Sequence, residues 1–401
     1  MPSFLSRLMG AGRSRAAAPP EAKASRASRL LAVGGAPEAR WTPREGRSLA
    51  EQGFRRNPVA HRCVKLVAEA VAALHWDVCA GGVEDPGHPA AIRLRRPNPH
   101  QTGADLIEAL TVHLLVFGDA FLEAVCEDAD GPPLELHVLR PDRMRPLFGR
   151  DGWIEAYDYA VNGRKVTFRQ DEAALPPILH LKLFDPLEDH RGFAPLAAAQ
   201  MALDAHNAAT AWNKALIDNA ARPSGALVYT AEGGGLSDEQ FDRLKTELEA
   251  NFQGALNAGR PILLEGGLDW KPLSLSPKDM DFLDAKAAAA REIALALGVP
   301  PLLLGLQGDN TYANYAEAAR SFQRQTVIPL GRRILDRLAL WLAPVWPDIR
   351  FEIDLDRVDA LAEQREAQWR PVLAAGDVLT REERREALGY PKEPAPDGEG
   401  R

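Results

Sequence analysis

FAPLAAAQMALDAHNAATAWNKALIDNAAR, residues 193–222, decides how the rest of the chain is read. Twelve of these thirty residues are alanine, the strongest helix former, and a helix of this length runs roughly 45 Å. Its large side chains are few: Leu196, Met201, Leu203, Trp212 and Leu216. Such a helix buries too little area to anchor a core alone and is suited to close packing against other helices. A second alanine-rich run, Asp279 to Leu297, has the same character. The two enclose a module from Pro223 to Leu275. In it LVYT reads as a strand, Leu236 to Phe252 as an amphipathic helix entered through Ser237 and Asp238, and PILLEGGLDWKPLSL as a hairpin.

Upstream, the chain opens with a basic arm, residues 1–47. Arg7, Arg13, Arg15, Lys23, Arg26 and Arg29 are opposed in its opening stretch only by Glu21. Order is expected from Asn57 and Pro58, where Val59, Cys63, Leu66, Val67, Ala70 and Leu74 recur at helical spacing. A short strand follows at His75 to Cys79. Thr102 caps a second helix carrying Leu106, Leu110, Leu114 and Phe117, which Gly118 ends. From Ala120 to Leu183 the period changes to strands, and FLEAVCE, LELHVLR, WIEAYDYAV, KVTFR and ILHLKLF predict an antiparallel sheet.

Downstream of Gly298 comes the loop VPPLLLGLQGDN, then a helix from Tyr312 to Leu342 kinked at Pro329. The strand FEIDLD, a charged helix to Ala374 and an acidic tail complete the chain.

Composition narrows the function classes. The 401 residues are 46% hydrophobic and 26% charged, with a mean hydropathy of -0.25, the balance of a water-soluble protein of more than one compact unit. No run approaches the roughly 20 apolar residues of a spanning helix, so no membrane partner is expected. The net charge of -8 argues against a static grip on nucleic acid, which needs dense Lys and Arg. Cys63, Cys79 and Cys126 match neither zinc nor redox spacing and read as buried reduced thiols.

Phosphate-loop, dinucleotide, zinc-protease and serine-hydrolase motifs are all absent from the sequence, and no cofactor is expected. His206 lacks an i, i+4 partner and reads as a packed histidine rather than a metal ligand. The best enzymatic candidates are Glu352, Asp354 and Asp356, alternating on one face of a strand as metal-binding carboxylates of nucleases do. The competing reading is an edge strand with Ile353 and Leu355 inward and the acids in solvent.

Seven blocks together resemble the portal proteins of tailed bacteriophages, in the long-tailed-phage family found also in prophages and gene transfer agents. They are NPVAHRCVKLVAEAVAAL (57–74), HPAAIRLRRPNPHQTGADL (88–106), ELHVLRPDRMRP (135–146), HLKLFDPLEDHRGFAPLAAA (180–199), RPSGALV (222–228), LLEGGLDWKPLSLSPKDMDF (263–282) and GVPPLLLGLQGDNTYANYAEAARSF (298–322). The resemblance implies an α+β fold with a wing of antiparallel sheet and helices, an alanine-rich stem, an inserted α+β clip and a short helical crown. On this chain it assigns residues 48–192 and 312–375 to the wing and 193–222 and 276–298 to the stem helices. The clip becomes 223–275, a tunnel loop 299–311, and a reduced crown and tail 376–401.

It also implies a ring of identical subunits, commonly twelve, at one capsid vertex of a virion or phage-like particle, assembled in the bacterial cytoplasm. Double-stranded DNA would cross its channel during packaging and ejection, and the terminase motor, a head–tail adaptor and the major capsid protein would be its partners. Leu304, Gln307, Asp309 and Asn310 would face the channel. Lys278, Lys286 and Arg291 are candidates for transient phosphate contacts. A dozen chains of this charge would total roughly -100, repelling rather than holding DNA. A metal-dependent nucleic-acid enzyme built on Glu352, Asp354 and Asp356, or an unrelated ring-forming adaptor, are the competing readings.

Overall fold

The computed structural model describes residues 42–43, 45–128, 131–218, 225–229, 237, 239, 242–243, 246, 268–272, 282–306, 312–375 and 378–388. Two compact units divide the chain: Met1–Arg40 with Ser224–Leu273, and Trp41–Pro223 with Ser274–Arg401.

In the larger unit, α1 (Gly46–Leu49) continues through a π-turn, Ala50–Phe54, into α2 (Pro58–Ala72). Regular structure therefore begins earlier than the expected Asn57. Leu49 is fully buried, but Leu49, Ala50 and Phe54 in a charged stretch are too few to give a readable periodicity. Asn57 starts α2: its side-chain oxygen accepts from the Val59 and Ala60 N–H groups, and Pro58 supplies the preset φ of the first turn. Ala60, Cys63, Val64, Val67, Ala68 and Val71 form the buried face.

β1 (Trp76–Ala80) is the centre of a sheet with β2 (Val83–Glu84) at one edge, and a short helix, α3 (Pro89–Arg95), follows. α4 (Gly103–Phe117) begins at a reciprocal Thr102–Asp105 capping box and ends at Gly118, whose φ of 79° is left-handed. It packs on α2, with Lys65 and Glu108 paired across the contact.

The Ala120–Leu183 region forms two three-stranded antiparallel sheets, not one. β3 (Asp119–Cys126) lies between β4 (Pro133–Leu139) and β8 (Ile178–Lys182). β6 (Ile154–Val161) lies between β5 (Met144–Phe148) and β7 (Arg164–Arg169). β5 escapes the sequence reading because Pro146 breaks its pattern, and an edge strand is where a sheet tolerates proline. Phe121, Leu139, Met144, Tyr157 and Ile178 form a small core shared by the two sheets.

The alanine-rich run 193–222 divides into α5 (Pro195–Ala198) and α6 (Gln200–Asp218), and residues 219–222 lie outside the described set. In the smaller unit β9 (Gly225–Tyr229) pairs with β10 (Leu268–Pro272), antiparallel. The rest of the expected hairpin and most of the helix from Leu236 lie outside the described residues. α7 (Phe282–Ala296) is the second alanine-rich helix.

A 3-10 turn, Pro301–Leu304, precedes α8 (Tyr312–Phe322), and a π-turn, Gln323–Val327, joins α8 to α9 (Ile328–Leu342). The irregularity expected at Pro329 thus occurs one turn earlier. Pro329 itself sits in the first turn of α9, where its missing N–H is harmless. α9 buries Ile334, Leu335, Leu338, Trp341 and Leu342 in the main core. β11 (Ile349–Ile353) pairs with β1 and is an edge strand, as expected. Ile349 and Phe351 face inward, whereas Leu355 is 42% exposed because the chain turns after Ile353. α10 (Ala362–Ala374) and α11 (Arg381–Ala387) follow. Cys63 is buried as expected, while Cys79 and Cys126 are half-buried free thiols at strand positions.

Candidate functional site

The alanine-rich helices α6 and α7 pack directly on one another. α6 buries Ala202, Leu203, His206 and Ala209, and α7 buries Ala289, Ala290, Ile293 and Ala294, with Leu297 buried just after it. Both sets recur at helical spacing along one side, and small side chains let the backbones approach closely. The opposite faces also carry many apolar residues. Met201, Ala205, Ala208, Ala211 and Ala215 are exposed on α6, and Leu283, Ala288 and Leu295 on α7. Lys214 on α6 and Asp284, Arg291 and Glu292 on α7 are exposed among them, so the outer faces mix small apolar side chains with a few charges.

A buried polar knot fixes α6 to the segment between Thr42 and Asn57. With its oxygen committed to the first turn of α2, the Asn57 amide donates to Asn207 Oδ1 at 3.0 Å and faces His206 Nδ1 at 3.2 Å. His206 Nδ1 is therefore the acceptor, and the ring proton sits on Nε2. Asn207 in turn donates to the Gln52 carbonyl at 3.0 Å, while Asp204 accepts from the Thr42 N–H at 2.8 Å and from its hydroxyl. Burial, aided by the Lys286 charge on α7, lowers the proton affinity of His206 and keeps it neutral. Its Nδ1 lone pair is occupied by an amide, so His206 is a structural residue.

The residues singled out from sequence fall in different settings. Leu304 ends the 3-10 turn, half-buried and packed against the main core. Lys286 is half-buried at the α6–α7 contact, close enough for its charge to be felt at His206, and Arg291 is exposed on α7. Gln307, Asp309, Asn310 and Lys278 lie outside the described residues.

The carboxylates Glu352, Asp354 and Asp356 have separate local tasks. Asp354 accepts from the Asp356 N–H at 2.9 Å and pairs with Arg357 at 3.2 Å, which closes the turn after β11. Asp356 pairs with Arg365 at 3.5 Å. Glu352 stands opposite Asp77 on β1 and lines an open groove of about 650 Å³ with Arg332, Asp336 and Arg350. Among the described residues, no three His, Cys, Asp or Glu side chains are grouped to hold a metal ion.

One cluster was not legible in sequence. His180 on β8 bonds Asp119 Oδ1 through Nε2 at 2.8 Å and the Tyr157 hydroxyl through Nδ1 at 3.1 Å, with Phe121 stacked 4.4 Å from its ring. Asp119 Oδ1 accepts from the Nε2–H, so Nδ1 accepts from the Tyr157 hydroxyl. Burial, reinforced by the Asp119 charge, raises the proton affinity of Tyr157. The hydroxyl stays protonated, and the chain Asp119–His180–Tyr157 ties the two sheets together. These three residues are 38 and 23 positions apart, far beyond any local signal.

The sequence model of the family described as phage portal protein matches residues 58–389, most of the chain. The chain belongs to the phage portal protein family. A chain in a solved structure of the virion of a native gene transfer agent particle is 51% identical to this portal chain. The match covers 90% of this chain and 97% of that one, with a TM-score of 0.68. A chain in the neck of the native particle, computed with C12 symmetry, is also 51% identical, over 88% of this chain and 95% of that one, with a TM-score of 0.68. An uncharacterised protein of Rickettsia bellii (strain RML369-C) is 39% identical over 84% of this portal chain and 88% of its own length. The blocks quoted from residues 57 to 322 lie almost wholly inside the matched span.

Proposed function

We propose that this chain is the portal subunit of a phage-like particle: twelve copies close into a ring at one capsid vertex, and double-stranded DNA passes through the axis during packaging and ejection. The carrying observation is the 51% identity, over 90% of the chain, to a component of the gene transfer agent virion. The twelvefold symmetry of the related neck supports the stoichiometry. The role is structural rather than catalytic. Asp354 and Asp356 already serve the fold, and the small side chains of α6 and α7 suit a crowded ring of helices.

In this reading α6 and α7 form the stem and residues 223–275 the clip, the platform for the packaging motor and the head–tail adaptor. The sheets with α2, α4 and α9 make the wing nearest the major capsid protein, and residues 376–401 a reduced crown. Leu304, Gln307, Asp309 and Asn310 border the channel. Lys278, Lys286 and Arg291 offer weak phosphate contacts within a surface acidic enough for DNA to slide.

The test is an in-frame deletion in the cell that carries the gene, with nuclease-protected DNA in released particles as the readout. Loss of protected DNA, restored by the intact gene, is expected. Protected DNA at the wild-type amount would overturn the proposal.

A further inference from the structure

Leu187 is 94% exposed and Phe184 is 78% exposed, yet the segment that bears them is tied down along its length. Asp185 Oδ1 accepts from the Leu187 N–H at 2.9 Å, and Glu188 Oε1 from the His190 N–H at 3.0 Å. Lys182 Nζ donates to the Asp189 carbonyl, and the Gly192 N–H donates to buried Asp119 at 2.8 Å. The His190 ring lies 4.7 Å from the Phe148 ring in a tilted contact, pinning the segment to the end of β5. A mobile loop can fold its apolar side chains back on itself; this one is held so that it cannot. Ordering entropy that a partner would otherwise have to supply is already spent, which is the construction of a docking knob.

A ring contact is heterologous: each chain must offer two different, complementary patches on different sides of itself. The knob leaves from β8, one edge of the β4-β3-β8 sheet. At the other edge, the segment after α3 clasps β4, where the Leu136 N–H donates to the Pro97 carbonyl at 2.9 Å and Asn98 donates to the Leu136 carbonyl at 2.9 Å. α3 presents Ile92, 60% exposed, and the exposed Arg96 caps its C-terminal end.

The two patches also match in charge. Phe184 to Asp189 carries Asp185, Glu188 and Asp189 and no base, while Pro86 to Thr102 carries Arg93, Arg95 and Arg96 and no acid. Arg95 is engaged by Asp77 at 3.7 Å and by the Trp76 ring. Neither the Arg96 guanidinium nor the Asp189 carboxylate has a polar partner among the described residues.

We propose that the Phe184–Asp189 knob of one chain seats on the outer face of α3 of the next chain in the ring, with Leu187 against Ile92 and Asp189 against Arg96. The inference rests on the ring reading above and deepens it by naming the contact. It is a contact between copies of this chain, not a site for the capsid protein or the adaptor.

The experiment uses the full chain, with ring assembly followed by mass photometry across a concentration series. Leu187→Asp, Asp189→Arg and Arg96→Glu should each raise the half-assembly concentration about tenfold or more, since reversed charges at a contact repel. The double variant Asp189→Arg/Arg96→Glu should return to within about threefold of wild type. All the altered side chains are exposed, so thermal melts should not move. Independently, the Leu187→Cys/Ile92→Cys chain should give covalent multimers on mild oxidation, and neither single variant should. A wild-type ring indifferent to the reversals, a double variant no better than the singles, or no cross-link within formed rings would overturn this contact alone. A wild-type chain that forms no ring at any concentration would instead overturn the ring reading and this contact with it.

Discussion

Replacing Asn57 by alanine tests whether the polar knot holds α6 in place. The side chain does two jobs at once: its oxygen caps α2 by accepting from Val59 and Ala60, both at 3.0 Å, and its amide serves Asn207 and His206. Loss of an N-cap costs about 1 kcal/mol. Asn207 Oδ1 and His206 Nδ1 would remain with no partner in a site where Asn57 is 0% and His206 4% exposed. Each stranded acceptor adds about 1 kcal/mol or more. The expected total is about 3 kcal/mol, a large part of the stability of a typical domain. Urea unfolding followed by tryptophan fluorescence, with amide exchange of Val59 and Ala60 as a local probe, measures it. Asn57→Asp separates the two jobs, since it keeps the cap but sets a carboxylate against His206. The carboxylate would favour the imidazolium of His206, so the variant's deficit should shrink as pH falls and the ring takes up a proton. A loss under about 0.5 kcal/mol for Asn57→Ala, the ordinary surface range, would refute the reasoning.

Burial, helped by the Arg140 charge and opposed by Asp142, lowers the His113 pKa to about 4. The unfolded chain therefore takes up the proton first, and stability complete above about pH 6.5 is lost by up to about 3 kcal/mol as pH falls to 4. His113→Leu should flatten this part of the urea-midpoint against pH profile. Gly118 and Gly192 meet backbone to backbone: a Cβ on Gly118 would lie 2.2 Å from the Gly192 carbonyl, and one on Gly192 2.1 Å from the Gly118 carbonyl. Alanine at either position should cost about 3 kcal/mol or more and reduce soluble yield, because backbone cannot rotate aside. Tyr157→Phe strands His180 Nδ1 and should cost about 1–2 kcal/mol by thermal melt without altering secondary structure by circular dichroism.

Elements with local chemistry were legible from sequence. Asn57-Pro58, the Thr102–Asp105 box and Gly118 fix the ends of α2 and α4, and the periodicity between them fixes the buried faces. The alanine content of α6 and α7 announced helices that need neighbours. What escaped was set by distant contacts. α1 is held by the burial of Leu49, and β5 pairs despite Pro146. α3, only seven residues long, is placed by β4 and β1. The division of one expected sheet into two depends on where β6 finds its partners, which strand patterns do not encode. The same limit applies to function. The portal resemblance was carried by ordered blocks, whereas the Asp119–His180–Tyr157 tie and the rigid Phe184–Asp189 knob exist only once β3, β6 and β8 are assembled.

The central claim is assembly, and mass photometry of the purified full-length chain, with electron-microscope class averages of the same sample, tests it most directly. Twelve copies of the 43.7 kDa chain give a particle of about 520 kDa, seen end-on as a twelvefold ring with a central channel. A species that stays at one or two copies at every concentration, in averages without a channel, would contradict it.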